Sequence, residues 1–128
     1  MKTQTSELTG AALDWAVAKC EGATDFWFDT APTFWVKLDG KDRALRYGWA
    51  QSYLPSTDWA QAGPIIEREG IELVPSHDGT RWYSEGLNRG GQSQGPTPLI
   101  AAMRCLVASK LGDEVDLPNE LINEREIK

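Results

Sequence analysis

Residues 97–112 read TPLIAAMRCLVASKLG, and this stretch decides the fold. Thr97 can cap a helix that begins at Pro98, because its oxygen accepts from free N–H groups and proline lacks an N–H where none is needed. The side chains that follow are apolar nearly all round, with three exceptions: Arg104, Ser109 and Lys110. Such a helix is buried in a core or in a subunit interface. A monomer of 128 residues would struggle to cover it on every side, so the pattern predicts a homo-oligomer.

Outward from this helix, the sequence predicts a second helix near 9–21 and several strands. The second helix has an apolar stripe with helical spacing, formed by Leu13, Ala16, Val17 and Cys20. Runs of aromatic and β-branched residues between turn signals predict strands: 25–29, 33–38, 71–74 and 81–84. There is no regular βαβ alternation. We therefore expect an α+β fold, a mainly antiparallel twisted sheet with the helices near 9–21 and 98–111 packed against it.

The remaining segments have weaker patterns. Residues 43–47 are expected to pair back as a further strand, and 48–63 are expected to be irregular. A short helix is predicted from Pro64, with proline at its first position. The polar, glycine-rich residues 85–94 predict a flexible loop. The acidic residues from about 113–128 predict an exposed tail, with Val115, Leu117 and Leu121 as the possible exceptions.

Composition limits the class of protein. A length of 128 residues fits a single domain, 1–128. Thirteen basic and nineteen acidic residues give a net charge of −6, which argues against nonspecific binding to nucleic acid. No apolar run approaches the ~20 residues of a membrane helix, and the first residues lack an apolar signal region. We expect a protein of the cytoplasm that does not contact the membrane.

Signatures of enzymes are missing from the sequence. It contains no zinc-protease, nucleophile-elbow, Walker or dinucleotide-binding motif. The single histidine, His77, falls in a predicted turn, and two cysteines with one histidine do not make an ordinary zinc site. The sequence therefore predicts no enzyme, no cofactor and no metal, although a carboxylate pair could still assemble in three dimensions.

Aromatic residues suggest a binding site instead. Six tryptophans exceed what one core of this size easily hides. Residues 53–59 place Tyr53 and Trp59 on either side of three polar residues that could bind sugar hydroxyls: Ser56, Thr57 and Asp58. Either aromatic ring could stack on a base. The alternative is a turn stabilised by its polar side chains, with Trp59 plugging the core.

Two further stretches suggest an anion. Arg89 and Gly95 lead to Thr97 at a helix N-terminus, where free N–H groups and the helix dipole favour negative charge. The alternative is a flexible connection with an ordinary cap. Arg46, with Arg43 nearby, precedes Trp49 and forms a local basic and aromatic patch, or otherwise an exposed strand face.

Trp15 is a further candidate. It falls off the apolar stripe of the first helix and packs on a neighbouring element or faces a pocket.

Three stretches resemble the NinX family of small tailed-phage proteins: residues 6–19, 55–67 and 95–104. The last contains the motif Gly95-Pro96-Thr97-Pro98, and the second contains Pro55-Ser56-Thr57-Asp58-Trp59. The resemblance implies a phage accessory protein that acts in the bacterial cytoplasm. It brings no catalytic residues to carry over.

Two functions follow as expectations. The first is a protein that binds and sequesters, without turnover, a nucleotide-derived signal of host immunity, of the cyclic nucleotide or ADP-ribose type. The aromatic, anion-tolerant pocket expected above suits this function. The second is a protein-interaction module that binds and modulates a host or phage protein, for which the apolar helix 98–111 and the surplus tryptophans could form the surface.

Overall fold

The computed structural model describes residues 1–29, 33–46, 48–49, 51–86 and 91–122. Eight strands and three α-helices follow one another in the order β1 (Lys2–Gln4), α1 (Gly10–Cys20), β2 (Asp25–Phe28), β3 (Phe34–Leu38), β4 (Lys41–Ala44), α2 (Trp59–Glu69), β5 (Glu72–Pro75), β6 (Trp82–Glu85), β7 (Gln92–Gly95), α3 (Pro98–Leu111) and β8 (Glu114–Asp116). A 3-10 turn, Thr5–Glu7, lies between β1 and α1.

All strand ladders are antiparallel, and the α+β class predicted from the sequence is confirmed. The strands form three small sheets, β1–β8, β2–β3–β4 and β5–β6–β7. The expectation of a single twisted sheet is therefore wrong, because among the described residues no ladder joins these three groups. The turn between β3 and β4 has positive φ at both Asp39 and Gly40, the geometry that matches the twist of a two-residue hairpin.

The helix α3 lies at the centre of the fold. Eight of its residues are buried, and α1, α2, β5, β6 and β7 all contact it. The chain thus covers α3 by itself. The reason given above for a homo-oligomer, that a monomer would leave this helix uncovered, is therefore wrong, although the oligomer itself stays a prediction.

Buried polar groups brace this core. The Arg104 guanidinium of α3, 8% exposed, donates from Nε to the Leu8 carbonyl at 2.9 Å and from Nη1 to the Gln94 carbonyl at 2.8 Å. The Thr97 hydroxyl caps α3 by accepting from the Ile100 N–H at 3.1 Å, as the sequence predicts. These bonds tie the segment before α1 and the strand β7 to α3.

Four segment assignments made from the sequence need correction. The helix α2 begins at Trp59, five residues before Pro64, because the Asp58 carboxylate caps it there. Residues 92–95 form β7 instead of a loop, because they pair with β6. The strand β4 ends at Ala44, and Tyr47 lies outside the described residues.

The predicted acidic tail is the fourth correction. Its residues 114–116 form β8 against β1. The three exceptions named from the sequence, Val115, Leu117 and Leu121, are buried, and so is Ile122. Burial of these side chains holds this part of the chain to the fold. Residues 123–128 lie outside the described part.

Candidate functional site

Most of the predicted wall at residues 53–59 is not available to a ligand. Tyr53 is 5% exposed and its N–H donates to the Ala44 carbonyl at 2.8 Å. Ser56 is 2% exposed. Both side chains belong to the interior, so they cannot stack on a base or bind a sugar from solvent.

The three residues that follow lie at the start of α2. Asp58 accepts from the Ala60 N–H with Oδ1 and from Gln61 Nε2 with Oδ2, each at 3.0 Å. Its carboxylate is therefore used as a cap, as the turn alternative predicts. Thr57 is exposed, and Trp59 is 57% exposed and does not plug the core.

Sequence reasoning missed the partner that anchors this loop. Asp14 of α1 is 1% exposed and accepts from the Ser56 N–H at 2.8 Å. Burial raises the pKa of Asp14 to about 7, although the hydrogen bond from the Ser56 backbone opposes the rise. The Ser56 hydroxyl is also buried and lies close enough to the Asp14 carboxyl to lower its pKa. No sequence pattern marks this pair, since the two residues are 42 positions apart.

Trp15 is a core residue. It is 5% exposed, its ring lies 5.3 Å from that of Phe26, and Lys19 Nζ lies 5.2 Å from its ring centroid. Of the two alternatives for this residue, packing on a neighbouring element is the one observed.

Two components of the predicted anion site at the start of α3, Gly95 and Thr97, serve the fold. Gly95 is buried against the helix, and a Cβ built there would lie 2.9 Å from the Ala101 nitrogen, so this glycine permits close packing. The Thr97 oxygen caps the helix. Arg89 lies outside the described residues.

One aromatic cluster does lie together at the surface. Trp27 of β2 and Trp35 of β3 are directly opposite in register, and their rings are nearly parallel, 6.2 Å apart with an angle of 6°. Trp49 meets Trp35 edge to face at 5.7 Å. The exposed Arg46 guanidinium lies 4.9 Å from the Trp49 ring centroid. We call these four residues the tryptophan surface.

Hydrogen bonds fix the tryptophan surface. Trp35 donates from Nε1 to Asp29 Oδ2 at 2.7 Å, and Arg46 donates from Nη1 to the Thr33 hydroxyl at 3.2 Å. All three tryptophans are half-buried. Their rings are thus oriented by packing and remain partly exposed to solvent, as an aromatic surface that contacts a flat ligand would be.

The sequence pointed to Arg46 and Trp49 but not to Trp27 and Trp35. A usable signal existed, because each lies in the middle of a predicted strand among residues that alternate between faces. Their meeting, however, depends on the register of β2 against β3.

Among the residues with a described placement, no three His, Cys, Asp or Glu side chains group as metal ligands would. No helix in the same residues combines the length and apolar character that crossing a membrane requires.

A family model described as "Bacteriophage P22, NinX" matches residues 4–110, which is most of the chain. No curated protein sequence matches the chain.

Proposed function

Because the chain belongs to the NinX family of bacteriophage proteins, we propose that it is a phage accessory protein that binds and sequesters a nucleotide-derived signal of host immunity. The ligand is a cyclic nucleotide or an ADP-ribose derivative, and the site of action is the host bacterial cytoplasm. The observation that carries this proposal is the tryptophan surface, where the exposed Arg46 guanidinium lies over the ring of Trp49 beside two further half-buried tryptophans.

The charges near this surface favour Arg46 as the phosphate contact. Lys37 pairs with Asp42 at 2.8 Å, and Arg43 donates to the backbone oxygens of Gln51 and Ser52. Within the described residues, Arg46 has no carboxylate at ion-pair distance. In a protein with a net charge of −6, such an arginine is the group that can attract a phosphate locally.

The aromatic rings supply the other half of the recognition. Stacking of a base on an aromatic side chain contributes about 1–3 kcal/mol in nucleic-acid-binding proteins. Trp49 carries the guanidinium on its ring and touches Trp35, so a base on this surface would lie beside the phosphate contact. Binding without turnover fits a surface where the Asp29 carboxylate is engaged, since it accepts from the Trp35 indole.

The test is a titration with a panel of cyclic nucleotides, ADP-ribose and cyclic ADP-ribose. Binding is detected as a change in tryptophan fluorescence and as a rise in melting temperature. A ligand at 100 times its dissociation constant adds about 2.7 kcal/mol to the free energy of unfolding. Trp49→Ala is expected to weaken binding roughly 5- to 150-fold, by the tenfold-per-1.4 kcal/mol rule. Arg46→Gln should weaken phosphate-bearing ligands and leave unphosphorylated nucleosides unchanged.

Trp59→Ala is the matched control, because Trp59 is exposed on α2 and outside the cluster. It should leave affinity unchanged. A panel with no binding member would overturn the proposal. Equal losses in Trp59→Ala and Trp49→Ala would place the ligand elsewhere.

The alternative function is a protein-interaction module that binds and modulates a host or phage protein. Its original support, the apolar helix α3, is buried within the chain. Only the surface tryptophans still favour it. Loss of a protein partner in Trp49→Ala, with no nucleotide bound by the wild type, would support this alternative.

A further inference from the structure

The solvent face of the sheet β5–β6–β7 carries a second, chemically different site. A cleft of about 490 Å³ lies on it. Two rows of directly paired residues lie on this face. One row is Val74, Tyr83 and Gln94, and the other is Glu72, Glu85 and Gln92. Val74 and Tyr83 are each 46% exposed. Ser6 adds a hydroxyl to the polar lining. We call this surface the β5–β7 face.

Negative charge on the β5–β7 face is not compensated. Glu72 and Glu85 are directly opposite on neighbouring antiparallel strands, where like charges destabilise a sheet. Within the described residues, neither carboxylate has a lysine or arginine at ion-pair distance. The cation nearby, Arg81, donates from Nη1 to Gln94 Oε1 at 2.9 Å. A cation between the two glutamates would therefore relieve a repulsion that the free protein carries.

The aromatic and aliphatic groups beside the glutamates favour a side-chain cation over a bare ion. Tyr83 offers a ring face to an ammonium or guanidinium group, and Val74 offers apolar surface to a methylene stem. Lysine and arginine have both parts, a stem that packs on apolar surface and a charged end.

The polar lining favours a peptide as the carrier of that cation. Side-chain amides and hydroxyls both donate and accept hydrogen bonds, and three of them line the cleft on this side of the sheet: Ser6, Gln92 and Gln94. A peptide backbone presents donors and acceptors in turn, whereas a polyamine presents donors alone. The lining spans three strands, about 10 Å at the usual strand spacing, which a short extended segment can cross.

We propose that the β5–β7 face binds an extended basic segment of a partner protein, with a lysine or arginine side chain between Glu72 and Glu85 and its stem over Tyr83. The site is independent of the tryptophan surface, which lies on another sheet, so this proposal and the proposed function fail separately.

The experiment follows backbone amide chemical shifts by NMR in the full chain. The probe is an acetylated, amidated pentapeptide with two lysines, and its control replaces both lysines with glutamine. The lysine peptide should shift amides of β5, β6 and β7, and the glutamine peptide should not. Equal binding of the two peptides, or shifts that lie elsewhere, overturns the proposal.

The variant Glu72→Gln/Glu85→Gln should weaken the lysine peptide about tenfold, from the loss of two exposed ion pairs. The matched variant Glu67→Gln/Glu120→Gln removes the same charge from exposed positions off this face and should change affinity by less than about twofold, by charge steering alone. Equal losses of peptide affinity in the two variants would show that the effect comes from net charge alone, and this result would overturn the proposed site.

Two further readouts keep the test decisive. Melting temperature should rise in Glu72→Gln, because the cross-strand repulsion is removed, and a fall would contradict the charge argument. Putrescine serves as a small diamine probe. If putrescine shifts amides on the β5–β7 face and the lysine peptide does not, the face binds a small cation. This result would overturn the proposal of a basic peptide segment.

Discussion

The buried carboxyl of Asp14 makes the stability of the protein depend on pH in an unusual direction. Its folded pKa, about 7, lies above its ordinary value of 3.8 because burial penalises the charged form. Between these values the folded state keeps a proton that the unfolded state has lost. Stability from this group is fully present below pH 3.8 and is lost as the pH rises through 7.

The magnitude follows from the size of the shift. Each pKa unit corresponds to 1.36 kcal/mol, so a rise from 3.8 to about 7 amounts to about 4 kcal/mol between pH 4 and pH 8. The total free energy of unfolding of a small domain is about 5–15 kcal/mol, so this group contributes a large share. Other carboxyl groups act in the opposite sense, since hydrogen bonds lower the pKa of Asp78 to about 2 and the N-terminal ammonium lowers that of Asp116. Only a comparison with a variant isolates Asp14.

Asp14→Asn is the suitable change, because it keeps the shape and removes the charge. Its Oδ1 can continue to accept from the Ser56 N–H, and the buried Ser56 hydroxyl offers an acceptor to the new amide. We expect the variant to be more stable than the wild type at pH 8, and the advantage to shrink as the pH falls to 5. Urea unfolding followed by tryptophan fluorescence at half-unit pH steps measures the difference.

Asp39→Asn is the control, because it makes the same chemical change at an exposed turn residue where asparagine also tolerates positive φ. The difference in free energy of unfolding between Asp39→Asn and the wild type should not change with pH in the way that it does for Asp14→Asn. A difference between wild type and Asp14→Asn that stays flat from pH 5 to 8 would refute the reasoning, because Asp14 would then be ionised in the folded protein.

Two further predictions concern packing and capping. Gly95→Ala should lower the free energy of unfolding by about 1–3 kcal/mol in urea melts, because the new Cβ would press on the Ala101 nitrogen of α3. Gly63→Ala is the control and should lower it less, because a Cβ built there meets no neighbouring element within 4 Å. Asp58→Ala should lower the melting temperature, because losing the cap of α2 costs about 0.5–2 kcal/mol. It should leave the affinity for the proposed nucleotide ligand unchanged. A loss of affinity without a loss of stability would show that Asp58 contacts the ligand.

The sequence predicted the elements whose signals are local. The helix α3 has its cap, its first-position proline and its terminal glycine within one stretch, and all three lie where expected. The start of α2 was misplaced because two N-terminal signals compete there. The Asp58 cap prevails, and the helix continues through Pro64 with the loss of one backbone hydrogen bond. The strand β7 was missed because Gln92, Ser93 and Gln94 give no apolar signal, and pairing with β6 alone makes them a strand.

The six tryptophans show why the site was harder to predict than the fold. Their number indicated that some reach the surface, but the same residue type is buried at Trp15, exposed at Trp59 and clustered at Trp27, Trp35 and Trp49. Which state results depends on register, because a slip of one residue would turn every side chain of a strand to the opposite face. The cluster exists because Trp27 and Trp35 occupy opposite positions of one ladder and the connection after β4 returns Trp49 to the same side. Tertiary pairing, which no local pattern encodes, therefore decides where this protein presents its aromatic surface.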